Sequence, residues 1–142
     1  MDFSEHLALS AAGSAALYLA TGDVAAALAF SVTGVLVDSD HVWDYWRETG
    51  FNLRRQAFLD FFAVGRPRHL LIPLHGWEWP LALAVAGLAL GGPLWVQAAA
   101  AGWLLHLGLD QRYNPLGPFS YSFFFRWRVG FSGEAVFEDP AA

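Results

Sequence analysis

The chain has no cysteine, no lysine and a single methionine, and it carries little charge of either sign. Each absence closes a class of chemistry. Without cysteine there is no disulfide framework, no thiolate zinc site and no thiol nucleophile, so a metal ion here has imidazole and oxygen ligands to choose from. Charged residues are 15% of the chain, against about 25% in an average soluble domain. The basic residues are all arginine: eight Arg against thirteen Asp and Glu leave a formal net charge of −5. That balance argues against nucleic acid as a partner, because binding it needs a basic face that displaces counterions. The first residues, Met1-Asp2-Phe3-Ser4-Glu5-His6, are acidic where a secretory leader is basic, so no cleaved leader is expected.

What is abundant is apolar. Of 142 residues 56% are hydrophobic, and the mean hydropathy is +0.36. A disordered or collagenous chain is excluded, and the length suits a single domain over residues 1–142. The choice left is a compact membrane protein or an unusually apolar soluble helical domain.

Three stretches lack any charged residue or histidine: Leu7 to Gly22, Val24 to Val37 and Trp79 to Leu105. Thr21-Gly22-Asp23 breaks the first two apart, with Gly22 suited to end a helix and Asp23 to cap the next. Gly91-Gly92-Pro93 breaks the third, with Pro93 suited to a first helical turn. The expected fold class is all-α, an integral membrane bundle of two short helical hairpins. They run from Ser4 to Ala20 with Asp23 to Asp38, and from Pro80 to Leu90 with Pro93 to Asp110. Sixteen helical residues span about 24 Å, less than a hydrocarbon core of about 30 Å, so thinning of the bilayer or partial immersion has to make up the difference.

Leu53 to Phe62 reads as an amphipathic interfacial helix with Phe58, Phe61 and Phe62 on one side. The aromatic-rich C-terminal segment Phe119 to Phe131 reads as interfacial too, with an extended conformation as one option. If both hairpins span, all eight arginines fall on the side of the termini, which the positive-inside rule makes cytoplasmic. The expected location is the cell membrane, with lipid as partner.

The ionisable residues sort to the same end of such a bundle. His6 opens the first helix, Asp38, Asp40 and His41 close the second, His75 precedes the third, and His106 with Asp110 closes the fourth. His106 and Asp110 are four apart on one helical face, and His75 and Glu78 are three apart. Facing helices of a bundle are where di-metal sites are built. Imidazole and carboxylate ligands suit zinc, manganese or iron, and this many carboxylates suit two ions better than one. Two such ions polarise a phosphoryl or acyl oxygen and generate hydroxide near neutral pH, which is hydrolase chemistry. Glu78 and Asp44 are candidates for general base or for orienting the ligands. Arg66 and Arg68 are candidates for gripping a substrate phosphate, or for anchoring to anionic lipid. Each residue also has a plain alternative: a carboxylate near a helix end caps or pairs with Arg, and a histidine in an apolar bundle is often a hydrogen-bonded core residue. A non-catalytic membrane protein with a structural metal or ion-pair cluster is the competing reading, and haem between facing histidines is a weaker third.

The order of an early His6, then Gly34-Val35-Leu36-Val37-Asp38-Ser39-Asp40-His41, then Leu74-His75-Gly76, then His106-Leu107-Gly108-Leu109-Asp110 resembles the family of membrane-bound metal-dependent hydrolases described as LexA-regulated. The resemblance covers about residues 6 to 110 and implies metal ligation by His6, Asp38, Asp40, His41, His75, His106 and Asp110. It also implies distant kinship to zinc-dependent phospholipase C but names no substrate; the substrate class expected from the two-metal chemistry is a phosphoester, with lipid as one option. Two positions depart from that family's pattern: Val37 stands where it has proline, and Leu74-His75-Gly76 where it has Thr-His-Ser.

Overall fold

Gly22 and Gly91, at φ 68° and 61°, turn the chain at the two places where the sequence breaks its apolar runs. Only glycine adopts that left-handed conformation without a steric cost. The computed structural model describes residues 3–63, 67–114 and 116–137. Every regular element among them is a helix: α1 (Phe3–Thr21), α2 (Val24–Leu36), α3 (Ser39–Thr49), α4 (Arg55–Ala63), α5 (Glu78–Ala89), α6 (Leu94–Tyr113), α7 (Phe123–Arg128) and α8 (Gly133–Phe137). The all-α expectation therefore holds. Contacts divide the chain into two units, residues 1–37 with 77–114 and residues 38–76 with 115–142.

The first unit consists of α1, α2, α5 and α6, the two hairpins. Asp23 caps α2 as expected, accepting the Ala26 N–H at 2.9 Å. The helices meet through small residues. Ala26, Ala27, Ala98, Ala99 and Ala100 are buried, whereas Leu19 and Leu90 are each 84% exposed. A Cβ on Gly34 would strike the Ser10 hydroxyl, and one on Gly102 would strike the Phe30 carbonyl oxygen. Thr33 Oγ1 donates to the Ala99 carbonyl at 2.8 Å and Ser14 Oγ to the Ala27 carbonyl at 2.7 Å. Small residues and hydroxyls inside with large apolar residues outside is the packing style of helices in lipid. No helix among the described residues, however, is long and apolar enough to cross a membrane. The reasons differ: α2 and α5 have 13 and 12 residues, about 20 and 18 Å, while α6 carries His106, Asp110 and Arg112 in its C-terminal half.

The second unit departs further from expectation. Asp40 and His41 do not close α2. The helix stops at Leu36 and α3 begins at Ser39 with Asp38 as its N-cap residue, because Asp-Ser-Asp favours a helix start over a continuation. Residues 40, 41, 44, 45 and 48 share one face of α3. Phe58 and Phe61 of α4 pack edge-on against Tyr45, with ring centroids 5.4 Å apart in both pairs, and Phe62 packs against His41 at 4.9 Å. The aromatic side of this amphipathic helix thus turns onto α3, where edge-to-face contacts add to burial. Phe119 to Phe131 is not extended: Ser122 caps α7 by accepting the Phe125 N–H at 3.2 Å. Leu70, Ile72 and Val136 form the buried core, with Phe62, Val129 and Phe137 against it.

Candidate metal centre

In the first unit, α6 presents His106 and Asp110 one turn apart and α1 brings His6 to them. Asp110 Oδ1 accepts from His6 Nε2 at 2.9 Å, Asp110 Oδ2 faces His106 Nε2 at 3.5 Å, and the two imidazoles stack with centroids 4.0 Å apart. All three residues are buried. His106 Nδ1 donates to the Gly34 carbonyl at 2.9 Å, one of the carbonyls that the end of α2 leaves without an intrahelical partner. With Nδ1 donating to that carbonyl, the tautomer of His106 is set and its Nε2 is turned toward the Asp110 carboxylate. His6 Nδ1 is buried without a hydrogen-bond partner among the described residues.

The second unit repeats the motif. His75 Nδ1 is bonded to Asp40 Oδ2 at 3.2 Å, and its Nε2 stands 3.5 Å from Asp38 Oδ1. Asp38 makes no side-chain capping bond to α3; its Oδ1 lies between the two rings, 3.8 Å from His41 Nδ1. Asp40 Oδ1 is 3.0 Å from His75 Nδ1 and 3.2 Å from His41 Nδ1, yet neither approach is aligned as a hydrogen bond. Ligand atoms of Asp40, His41 and His75 all lie within 4.8 Å of one another, an arrangement that can hold a metal ion. Oxygen and nitrogen ligands on a tetrahedral zinc ion, about 2.1 Å from it, are about 3.4 Å apart, so the observed separations suit such an ion. Burial alone would push the Asp40 carboxyl up, but the close His41 and His75 imidazoles outweigh it and hold the group well below the usual carboxylate range.

A second feature of α3 escaped the sequence reading. Glu48, Asp44 and Asp40 are spaced four apart and accept backbone N–H groups from one strap of chain. Glu48 takes those of Arg68 (3.1 Å) and His69 (2.6 Å), Asp44 Oδ2 those of Leu71 (2.6 Å) and Ile72 (2.9 Å), and Asp40 Oδ2 that of Leu74 (2.8 Å). The rungs are about 6 Å apart along the helix, and each advances three residues along the strap. From α7, the wholly buried Arg126 donates to the carbonyls of Ile72 (3.1 Å), His75 (2.8 Å) and Ser120 (2.6 Å). Arg126 is thus an internal residue of the second unit. The signal for this strap was present as carboxylates at i, i+4 and i+8, but its acceptors serve backbone groups, which carry no sequence signature.

The remaining expected site residues fall elsewhere. Asp44, expected as a general base, is fully buried with Oδ2 taken by two N–H groups and Oδ1 3.3 Å from Arg47. Burial pushes its carboxyl up, against the pull of those N–H groups and Arg47. Glu78 lies half-buried in the first turn of α5. Arg68 is exposed and lines an open hollow of about 530 Å³ with Glu48, Thr49, Phe61 and His69, none of them a ligand candidate. Arg66 lies outside the described residues. No protein-family model, curated protein or solved structure matches the chain, so the site is interpreted from its own geometry.

Proposed function

We propose that the chain is a metal-dependent hydrolase acting at a membrane surface, with a phosphoester as substrate class and divalent ions, zinc foremost and manganese or iron as substitutes, as cofactor. The observation that carries the reading is the repeated ligand pair. In each unit an imidazole whose Nδ1 is committed to an oxygen turns its Nε2 to an aspartate oxygen 3.5 Å away, His106 to Asp110 and His75 to Asp38. An Nδ1 partner of this kind fixes the tautomer and orients the ring in metal sites generally.

When bound, such an ion supplies a Lewis acid and brings the pKa of water toward neutrality. Each unit offers its own set to bind and orient such an ion: Asp38, Asp40, His41 and His75 in one, His6, His106 and Asp110 in the other. Hydrolysis adds the hydroxyl of water to phosphorus and breaks the bond to the leaving alcohol, which takes the remaining proton. Asp44 is committed to backbone groups, so Glu78, three residues along the chain from His75, is the group offered for proton transfer. Arg66 and Arg68 are offered for the substrate phosphate.

Membrane association is part of the proposal, with the cytoplasmic face of the cell membrane as its place. It is supported by the inverted packing of α1, α2, α5 and α6, whose helices are short enough that immersion needs a thinned bilayer. A closed structural site is the second reading, favoured by the burial of His6, His75, His106 and Asp110 at 0–3% exposure.

Elemental analysis and hydrolysis of bis(p-nitrophenyl) phosphate by the purified chain test both. Bound zinc that His106→Ala and Asp40→Ala remove together with turnover supports the hydrolase. Stoichiometric zinc without turnover supports the structural reading. Full activity in either variant removes the mechanism.

A further inference from the structure

His75 stands on irregular backbone, and a ligand on a loop is held less precisely than one on a helix or strand unless the loop is fixed by its surroundings. This loop is not free to move. The N–H groups of residues 68, 69, 71, 72 and 74 are taken by Glu48, Asp44 and Asp40 of α3. From a different element, Arg126 takes the carbonyls of Ile72 and His75, and the Ile72 carbonyl also accepts the His75 N–H at 3.0 Å. Leu70 is tied to the Phe131 carbonyl at 2.8 Å. Within this strap Ile72, a β-branched residue, is held at φ +26°, a strained conformation that persists only where its surroundings over-determine it.

Arg126 gives three hydrogen bonds to carbonyls, two of them in the strap, and a planar fork of donors fixes the direction of each. Arg126 and Asp44 grip the strap from opposite chemical sides, one through its C=O groups and one through its N–H groups. His75 is the residue at which the strap ends.

We infer that Arg126 and Asp44 are positioning residues for the His75 imidazole, locking the strap so that both ring nitrogens are aimed at Asp40 and Asp38 before a metal ion arrives. The inference rests on the metal reading proposed above. Neither residue touches the ion; both act through His75. The effect belongs to ligand-orienting groups, whose loss costs about 10- to 100-fold in metal affinity.

The experiment measures zinc affinity by competition with a chelator, together with ¹⁵N signals of the His75 ring in the metal-free protein. Arg126→Lys keeps the charge but loses the fork. It is expected to remain folded, to bind zinc at least 10-fold more weakly, and to replace one His75 tautomer by a mixture. Asp44→Ala is expected to do the same, and Asp44→Asn, which keeps an oxygen toward the strap, to restore affinity to near that of the wild type. A folded Arg126→Lys and Asp44→Ala that bind zinc as tightly as the wild type, with unchanged His75 signals, overturn the inference. So does loss of folding in both, because it would assign these residues to the fold rather than to the ligand. If the wild type binds no zinc, the metal reading fails, and the His75 signals still decide whether the clamp sets the ring.

Discussion

Ile72 donates its backbone N–H to Asp44 Oδ2 at 2.9 Å while its own φ stands at +26°. The two facts belong together: a left-handed conformation costs a residue with a Cβ about 1–2 kcal/mol, and here hydrogen bonds at Leu71, Ile72 and the Ile72 carbonyl offset it. The side chain is 2% exposed, packed with Leu70 and Val136, so burial adds a second reason to stay.

Substitutions at Ile72 separate these contributions. Removing the side chain to Ala should cost about 2–5 kcal/mol, as for a buried isoleucine elsewhere. In ordinary backbone Gly is worse than Ala by a further 0.5–1 kcal/mol or so. At positive φ the order should reverse, with Ile72→Gly at least as stable as Ile72→Ala in urea unfolding. The usual order, with Ala the more stable, would show that the strap does not hold this conformation in solution.

Acid should act on the two aspartates of α3 with opposite sign. The Asp40 carboxyl is held below its ordinary 3.8, so its contribution to stability is complete above that value and is lost as pH falls through the lowered one. The Asp44 carboxyl is raised, so its contribution is present below 3.8 and is lost as pH rises through the raised value. Asp40→Asn should therefore flatten the decline of stability below pH 4, and Asp44→Asn should gain relative to the wild type toward neutral pH. Urea midpoints measured from pH 2 to pH 7 check both, and parallel curves for all three proteins would refute the assignment.

The hairpins were legible because their signals are local. Gly22, Asp23, Gly91 and Pro93 punctuate runs without charge, and the helices α1, α2, α5 and α6 end within a few residues of those marks. The ligand candidates were legible because His and Asp are scarce against an apolar background. Asp38 to His41 was misread as the end of α2, since an apolar run that stops at Asp38 looks the same whether the helix ends there or another begins. Arg126 was illegible for a deeper reason. Its partners are carbonyls at 72, 75 and 120, and any residue has a carbonyl, so nothing in the amino-acid types marks the pairing.

Glycine at position 102 lies in the middle of α6, where alanine is worth about 1 kcal/mol more in an isolated helix. Propensity alone therefore predicts that Gly102→Ala stabilises the chain. The close approach of α2 predicts the reverse, because a Cβ there meets the Phe30 backbone carbonyl, which cannot swing aside. Overpacking of this kind costs about 1–3 kcal/mol, and a lowered Tm is expected. An unchanged or raised Tm would mean that α2 and α6 are not this close.

Metal removal should be read as lost stability before it is read as lost activity. An ion that binds only the folded chain adds about 2.7 kcal/mol at 100 times its Kd, so zinc should raise Tm and a chelator should return it to the metal-free value. His75→Ala should cut the rise, because it removes the ring whose two nitrogens face Asp40 and Asp38. His69→Ala should leave it intact: that residue is exposed, and its role in the strap is carried by its backbone, which bonds Glu48 and Arg47. The contrast between two histidines six residues apart separates a specific site from surface binding, since weak surface coordination would respond to the exposed ring and ignore the buried one.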